Sequence, residues 1–132
     1  MTPTQRTLKA LRARGLICGI VERFYAMTRH DLFGIIDIIA LDHGDDDEWS
    51  IEKGTWIAHP GGVIGVQSCG TAFSEHYKKI TQTKAKEARD WLLTPGTSLE
   101  LWGWRKIKVK RGGKAMRCEP RIHKFTLDDL KP

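Results

Sequence analysis

The chain has 132 residues and a mass of 15.0 kDa, with 22 Lys and Arg against 16 Asp and Glu, a formal net charge of +6 and a pI near 9.4. That length predicts one domain, residues 1–132, and 40% apolar content is enough to fill a core of one sheet and two or three helices, which excludes disorder as the dominant state. The longest apolar stretch, residues 34–41, is broken by Asp37 and falls far short of the roughly 20 residues of a membrane helix, and three cysteines, which cannot all pair and show no C-x-x-C spacing, point to a reducing cytosol.

Residues 4–14 place Leu8 and Leu11 on one face and stop at Gly15, which predicts a first helix. It is basic, not a signal core, so the chain is expected to stay where it is made. Residues 16–25 are rich in β-branched and aromatic side chains and predict a first strand, with Glu22 pointing the same way as Cys18 and Ile20. A polar linker, 26–32, leads to a second strand at 34–41, apolar on both faces except at Asp37, as in a central strand covered on both sides. Residues 43–62 are too long for a simple turn, and 49–51 with 55–57 predict a hairpin insertion. A third strand follows at 63–69 and a long amphipathic helix at 72–93, ended by Pro95 and Gly96. A fourth strand at 98–105 runs into a basic hairpin, 105–124, that turns at Gly112 and Gly113. Thr126 is placed to cap a last helical turn. The expected fold class is therefore α/β, with the order αβββαβ, a central mixed sheet flanked by helices and a C-terminal basic β-hairpin.

The charge is unevenly distributed. Residues 1–60 carry 7 basic and 9 acidic side chains, residues 61–132 carry 15 and 7. Nine basic side chains and one acid, Glu119, fall within 105–124. Such a stripe attracts polyanions, nucleic acid being the commonest for an intracellular domain; on charge alone a solvated basic strand pair is an equal reading. The run Asp42–His43–Gly44 through Glu48 lacks the glycine and closing glutamate of an EF-hand and reads as a solvated acidic loop. Histidines and cysteines have no zinc spacing, and no Walker, dinucleotide or G-x-S-x-G motif is present. Trp102 and Trp104 are expected to pack in the sheet, whereas Trp49 and Trp56 on the insertion could stack on bases.

Asp37 among isoleucines is costly unless it is paired or binds a cation. Gln67 in the neighbouring strand raises the same question, and Glu22 could complete an oxygen-donor cluster suited to Mg²⁺ or Mn²⁺. The plainer alternative is that Asp37 caps backbone or pairs with Arg23 or Arg29, and that Gln67 bonds across the sheet.

The order αβββαβ, the segment Gly34-Ile-Ile-Asp37-Ile-Ile-Ala40 and the segment Val66-Gln67-Ser68-Cys69 resemble the PD-(D/E)XK nuclease superfamily, and within it the Holliday junction resolvase-type proteins and related phage-encoded small nucleases. The resemblance covers residues 4 to about 105 and implies a restriction-endonuclease-like core. It makes Asp37 the principal metal ligand, puts Gln67 where the family usually has glutamate, and offers Glu22 as the additional acid. Cys69 occupies the family's lysine position, so Lys79 or Lys78 of the following helix is the expected substitute. By this resemblance the protein is expected to be a Mg²⁺- or Mn²⁺-dependent DNA endonuclease acting on branched or structured DNA, a homodimer working in the cytoplasm of a bacterium or a phage-infected host. Phosphate contacts are expected from Lys78, Lys84, Lys86, Arg105, Lys106, Lys108, Lys110, Arg111, Lys114 and Arg117. The departures at Gln67 and Cys69 make a catalytically degenerate binding module the alternative, and a basic protein-interaction subunit a third reading.

Overall fold

The first helix begins where the sequence supplies its cap. In the computed structural model, which describes residues 1–44, 48–57 and 61–131, α1 spans Pro3–Ala13. Thr2 and Gln5 form a reciprocal capping box and Pro3 opens the first turn. Its Leu8 and Leu11 are buried, each such side chain contributing about 1.5–3 kcal/mol.

The chain then builds a mixed sheet of five strands, β1 (Ile17–Ile20), β4 (Ile38–Asp42), β7 (Gly62–Cys69), β8 (Thr97–Lys108) and β9 (Met116–Lys124), in the order β1-β4-β7-β8-β9. Neighbours are antiparallel except β7 and β8, whose parallel pairing requires a crossover. The crossover is helical: α2 (Phe73–Lys78), a π-helical turn (Lys79–Thr83) and α3 (Ala85–Leu93). A 3₁₀ turn at Leu127–Asp129, boxed by Thr126 and Asp129, ends the described chain.

Side-chain alternation gives the sheet two apolar faces. Ile38, Ala40, Ile64, Val66 and Trp102 pack on Leu8 and Leu11 of α1. Ile35, Ile36, Leu99 and Leu101 pack on Ile80 and Ala88 of the crossover layer. Gly65 lies at a close approach in that layer: a Cβ there would fall 2.6 Å from Cδ1 of Ile36 and 3.0 Å from Trp91. Trp102 is core, 2% exposed.

Three expectations need correction. The first strand does not run from 16 to 25: after Val21, whose N–H bonds to the Asp37 carbonyl, the chain leaves the sheet. Arg23–Tyr25 (β2) instead pairs with Thr28–His30 (β3) in a separate antiparallel hairpin, so most of the supposed linker is structured. The second strand starts at Ile38, not at residue 34. Residues 32–36 close a tight turn through mutual Leu32–Ile36 backbone bonds, with Phe33 and Gly34 at φ +56° and +76°. That turn leaves β1 no partner beyond Asp37, which is why β2 swings out. The helix expected at 72–93 is broken because Lys84 N–H bonds back to the Lys79 carbonyl, an i to i−5 bond that inserts one residue.

The insertion forms a short hairpin, β5 (Glu48–Ser50) with β6 (Thr55–Ile57), Trp49 opposite Trp56. The centre of the acidic run, residues 45–47, lies outside the described residues. Among the described residues no helix is long and apolar enough to cross a membrane.

Candidate metal centre

Asp37 is held from both sides. Its N–H donates to the Val66 carbonyl and its carbonyl accepts from Val21, so the backbone is fixed between β1 and β7 although the residue stands at the entry of β4, not mid-strand. The side chain is 3% exposed. Its Oδ2 accepts from Gln67 Nε2 at 3.0 Å and from the Ser68 N–H at 3.1 Å. Burial is the main reason its pKa is pushed up to about 7, with Asp31 and Glu22 adding repulsion against the Ser68 and Gln67 hydrogen bonds.

Gln67, 2% exposed, bridges two charges. Its nitrogen serves Asp37 and its Oε1 accepts from Lys79 Nζ at 3.1 Å. Lys79 also lies 3.7 Å from Asp31 Oδ2. The π-helical turn begins at Lys79, placing the insertion where the ammonium meets the sheet. Cys69 is buried in the crossover core and carries no charge into the site, since burial and the nearby Asp37 push its thiol pKa up.

Glu22, Asp31 and Asp37 complete the arrangement. Their carboxylates each offer an oxygen within 4.8 Å of the other two, and Glu22 and Asp31 are only partly buried. Glu22 and Asp31 flank β2 and β3; continuing the Arg23–His30 register one step outward sets them opposite each other. Sequence reasoning singled out Glu22, Asp37 and Gln67 and missed Asp31, because the hairpin's turn, Ala26 and Met27 at φ +51° and +65°, contains no Gly, Asn or Asp to announce it. Nearby, His76 has its Nδ1 buried with no hydrogen-bond partner among the described residues; burial and the charge of Lys79 push its pKa down.

The donor set fits a hard divalent cation: three carboxylates converge, and one of them is held partly protonated near neutrality by burial and mutual repulsion that a cation would relieve. Gln67, expected as a ligand, has its oxygen turned to Lys79 and in this geometry links the Asp37 carboxylate to the Lys79 ammonium.

The opposite face of β7 is tied to α1. Ser68, whose N–H holds Asp37, donates its hydroxyl to Thr7 Oγ1 at 2.8 Å, and Trp104 Nε1 donates to the same oxygen at 2.8 Å. Thr7 passes its own hydroxyl proton to the Pro3 carbonyl.

The basic candidates are spread differently. Lys78 is exposed and lines a groove with Phe73, Ser74, Tyr77 and Arg121. The Lys84 side chain lies against Gly34, and Lys86 pairs with Asp90 at 3.7 Å on the surface. Arg105, Lys106, Lys108, Lys110, Arg111, Lys114 and Arg117 are exposed along the β8–β9 ribbon and its turn, where Glu119 is held by Arg117 at 2.6 Å. Alternation sends Arg105 and Arg117 to the crossover side and Lys106 and Lys108 to the α1 side. No protein-family model, curated protein or solved structure matches this chain.

Proposed function

We propose that the protein is a Mg²⁺- or Mn²⁺-dependent DNA endonuclease on a restriction-endonuclease-like core, acting on branched or otherwise structured DNA. The observation that carries this reading is the convergence of Glu22, Asp31 and Asp37 on one side of Gln67 with Lys79 on the other. The antiparallel β1-β4-β7 meander followed by a helical crossover to parallel β8 supports it, being the strand arrangement that the resemblance implies.

In this reading Asp37, Glu22 and Asp31 would hold the cation. A divalent ion there would neutralise phosphate charge and lower the pKa of a bound water. Lys79, fixed by Gln67 and Asp31, supplies a positive charge to the pentavalent phosphorus, the role left vacant by Cys69. Gln67 keeps Asp37 and Lys79 at fixed separation without adding negative charge. The β8–β9 ribbon, with Lys78, Lys84 and Lys86, holds phosphates without regard to sequence.

Cleavage of four-way junctions, flaps, single strands and plain duplex in Mg²⁺ and in Mn²⁺ tests the proposal. Cutting that EDTA stops and Asp37→Ala abolishes, with binding largely retained, is the expected outcome; unchanged cutting by Asp37→Ala would sink it. Gln67 and Cys69, where the resemblance expects a carboxylate and a lysine, favour one second reading, a binding module without catalysis. Binding with no cutting at high protein concentration would select it.

A further inference from the structure

The β2–β3 hairpin grows directly out of the acid cluster, Glu22 entering it and Asp31 leaving it. Resting on the nuclease reading, we propose that this hairpin is a contact site for unpaired nucleotides, and that it selects DNA with exposed bases next to the cutting centre.

Its composition is unlike a structural ribbon. Residues 23–30 contain two arginines, a histidine and no acid. Phe24 is 70% exposed, Tyr25 54% and Met27 86%. Two strands of three residues have no core of their own and reach about 10 Å, the length of roughly three stacked nucleotides. The turn puts Ala26 and Met27 in the left-handed region, strained for residues with a Cβ, and so carries Met27 to the tip.

The two faces divide the work. Phe24 and Arg29 are cross-strand partners on one face, an aromatic ring beside a guanidinium. Arg23, Tyr25, Thr28 and His30 share the other, where the Tyr25 ring stacks on His30 at 3.8 Å and 12°, and Thr28 Oγ1 sits 2.8 Å from His30 Nε2. A pre-stacked aromatic pair and a free phenyl offer π-faces to bases of any sequence, and the arginines meet the phosphates between them. A paired duplex offers only base edges and phosphates, so the rings distinguish the two forms. An acidic or apolar protein partner would use the same surface, and the test separates that outcome.

The experiment compares wild type with Phe24→Ala, Tyr25→Ala and the double variant, checked for unchanged circular dichroism and Tm. Binding is measured in EDTA to a single-stranded 20-mer, a four-way junction with unpaired bases at its centre, and a plain duplex 20-mer, each with a 2-aminopurine reporter. Expected is a loss of about tenfold per removed ring for the single strand, with loss of 2-aminopurine quenching, and duplex affinity within twofold. Equal losses on all substrates, or none, overturn the inference while leaving the nuclease reading standing. Wild type that binds none of the three DNAs overturns both, and leaves a protein partner as the occupant of this surface.

Discussion

A carboxylate buried beside isoleucines makes folding stability depend on pH. Asp37 has an ordinary pKa of 3.8 when exposed and about 7 in the folded chain, so between those values the folded state binds more protons than the unfolded one. The stability it contributes is complete below about pH 4 and is lost as pH rises through 7. At about 1.4 kcal/mol per pKa unit that loss is of order 4 kcal/mol. Metal-free wild type is therefore expected to unfold at lower urea as pH goes from 5 to 8, whereas Asp37→Asn should show a flatter profile. Mg²⁺ should raise Tm more at pH 8 than at pH 5, since it binds the ionised form; the same rise at both pH values would remove Asp37 from the ligand set. On the proposed nuclease reading, Lys79→Met, which leaves the aliphatic stem and removes the charge, is expected to lower kcat about 10²- to 10³-fold with DNA affinity little changed. Asp37 and Gln67 were legible in the sequence because each breaks an apolar strand. Asp31 was not, because it lies in a polar stretch where an acid is unremarkable.

Helix α2 and the π-helical turn bring Lys79 to the sheet, and that placement depends on contacts far from the acids. Gly103 of β8 lies under Phe73, where a Cβ would come within 2.6 Å of the ring, and Arg121 sits over the same ring at 4.0 Å. Gly103→Ala should push α2 outward, costing about 1–3 kcal/mol in urea unfolding. Thr7→Val strips the shared acceptor from the Ser68 hydroxyl and the Trp104 indole; about 2 kcal/mol or more of stability should go, with the loss visible in the Trp fluorescence transition. The strands β4, β7 and β8 and the helix α1 were readable from periodicity and caps. The break at Lys79–Thr83 was not, since residues 72–93 keep helical spacing well enough that one inserted residue leaves little trace in the pattern.

Over the whole molecule, the net charge of +6 is distributed unevenly, with a three-carboxylate cluster where the β2–β3 hairpin meets the sheet and an exposed basic ribbon at β8–β9. Binding held by that ribbon should weaken steeply with salt, log K falling linearly with log salt. Replacing Lys106, Lys108 and Lys110 by alanine should weaken all DNA forms alike and reduce the slope by up to about 1 per lysine. A slope unchanged in the triple variant would show that the ribbon does not hold phosphates.

By itself the sequence determined the layered α/β class, the first helix, the three strands β4, β7 and β8, the basic ribbon and the two polar residues that interrupt the core, because each is written in local periodicity, capping or a hydrophobic run broken by a polar side chain. Only the tertiary structure decided that Glu22, Asp31 and Asp37 meet, and that Lys79 reaches across to Gln67. Those meetings depend on a hairpin with no turn residues to mark it, on β1 ending where β4 begins, and on one extra residue in a helix. They are long-range consequences of packing, and a pattern read along the chain carries no distance between residues that are far apart in it.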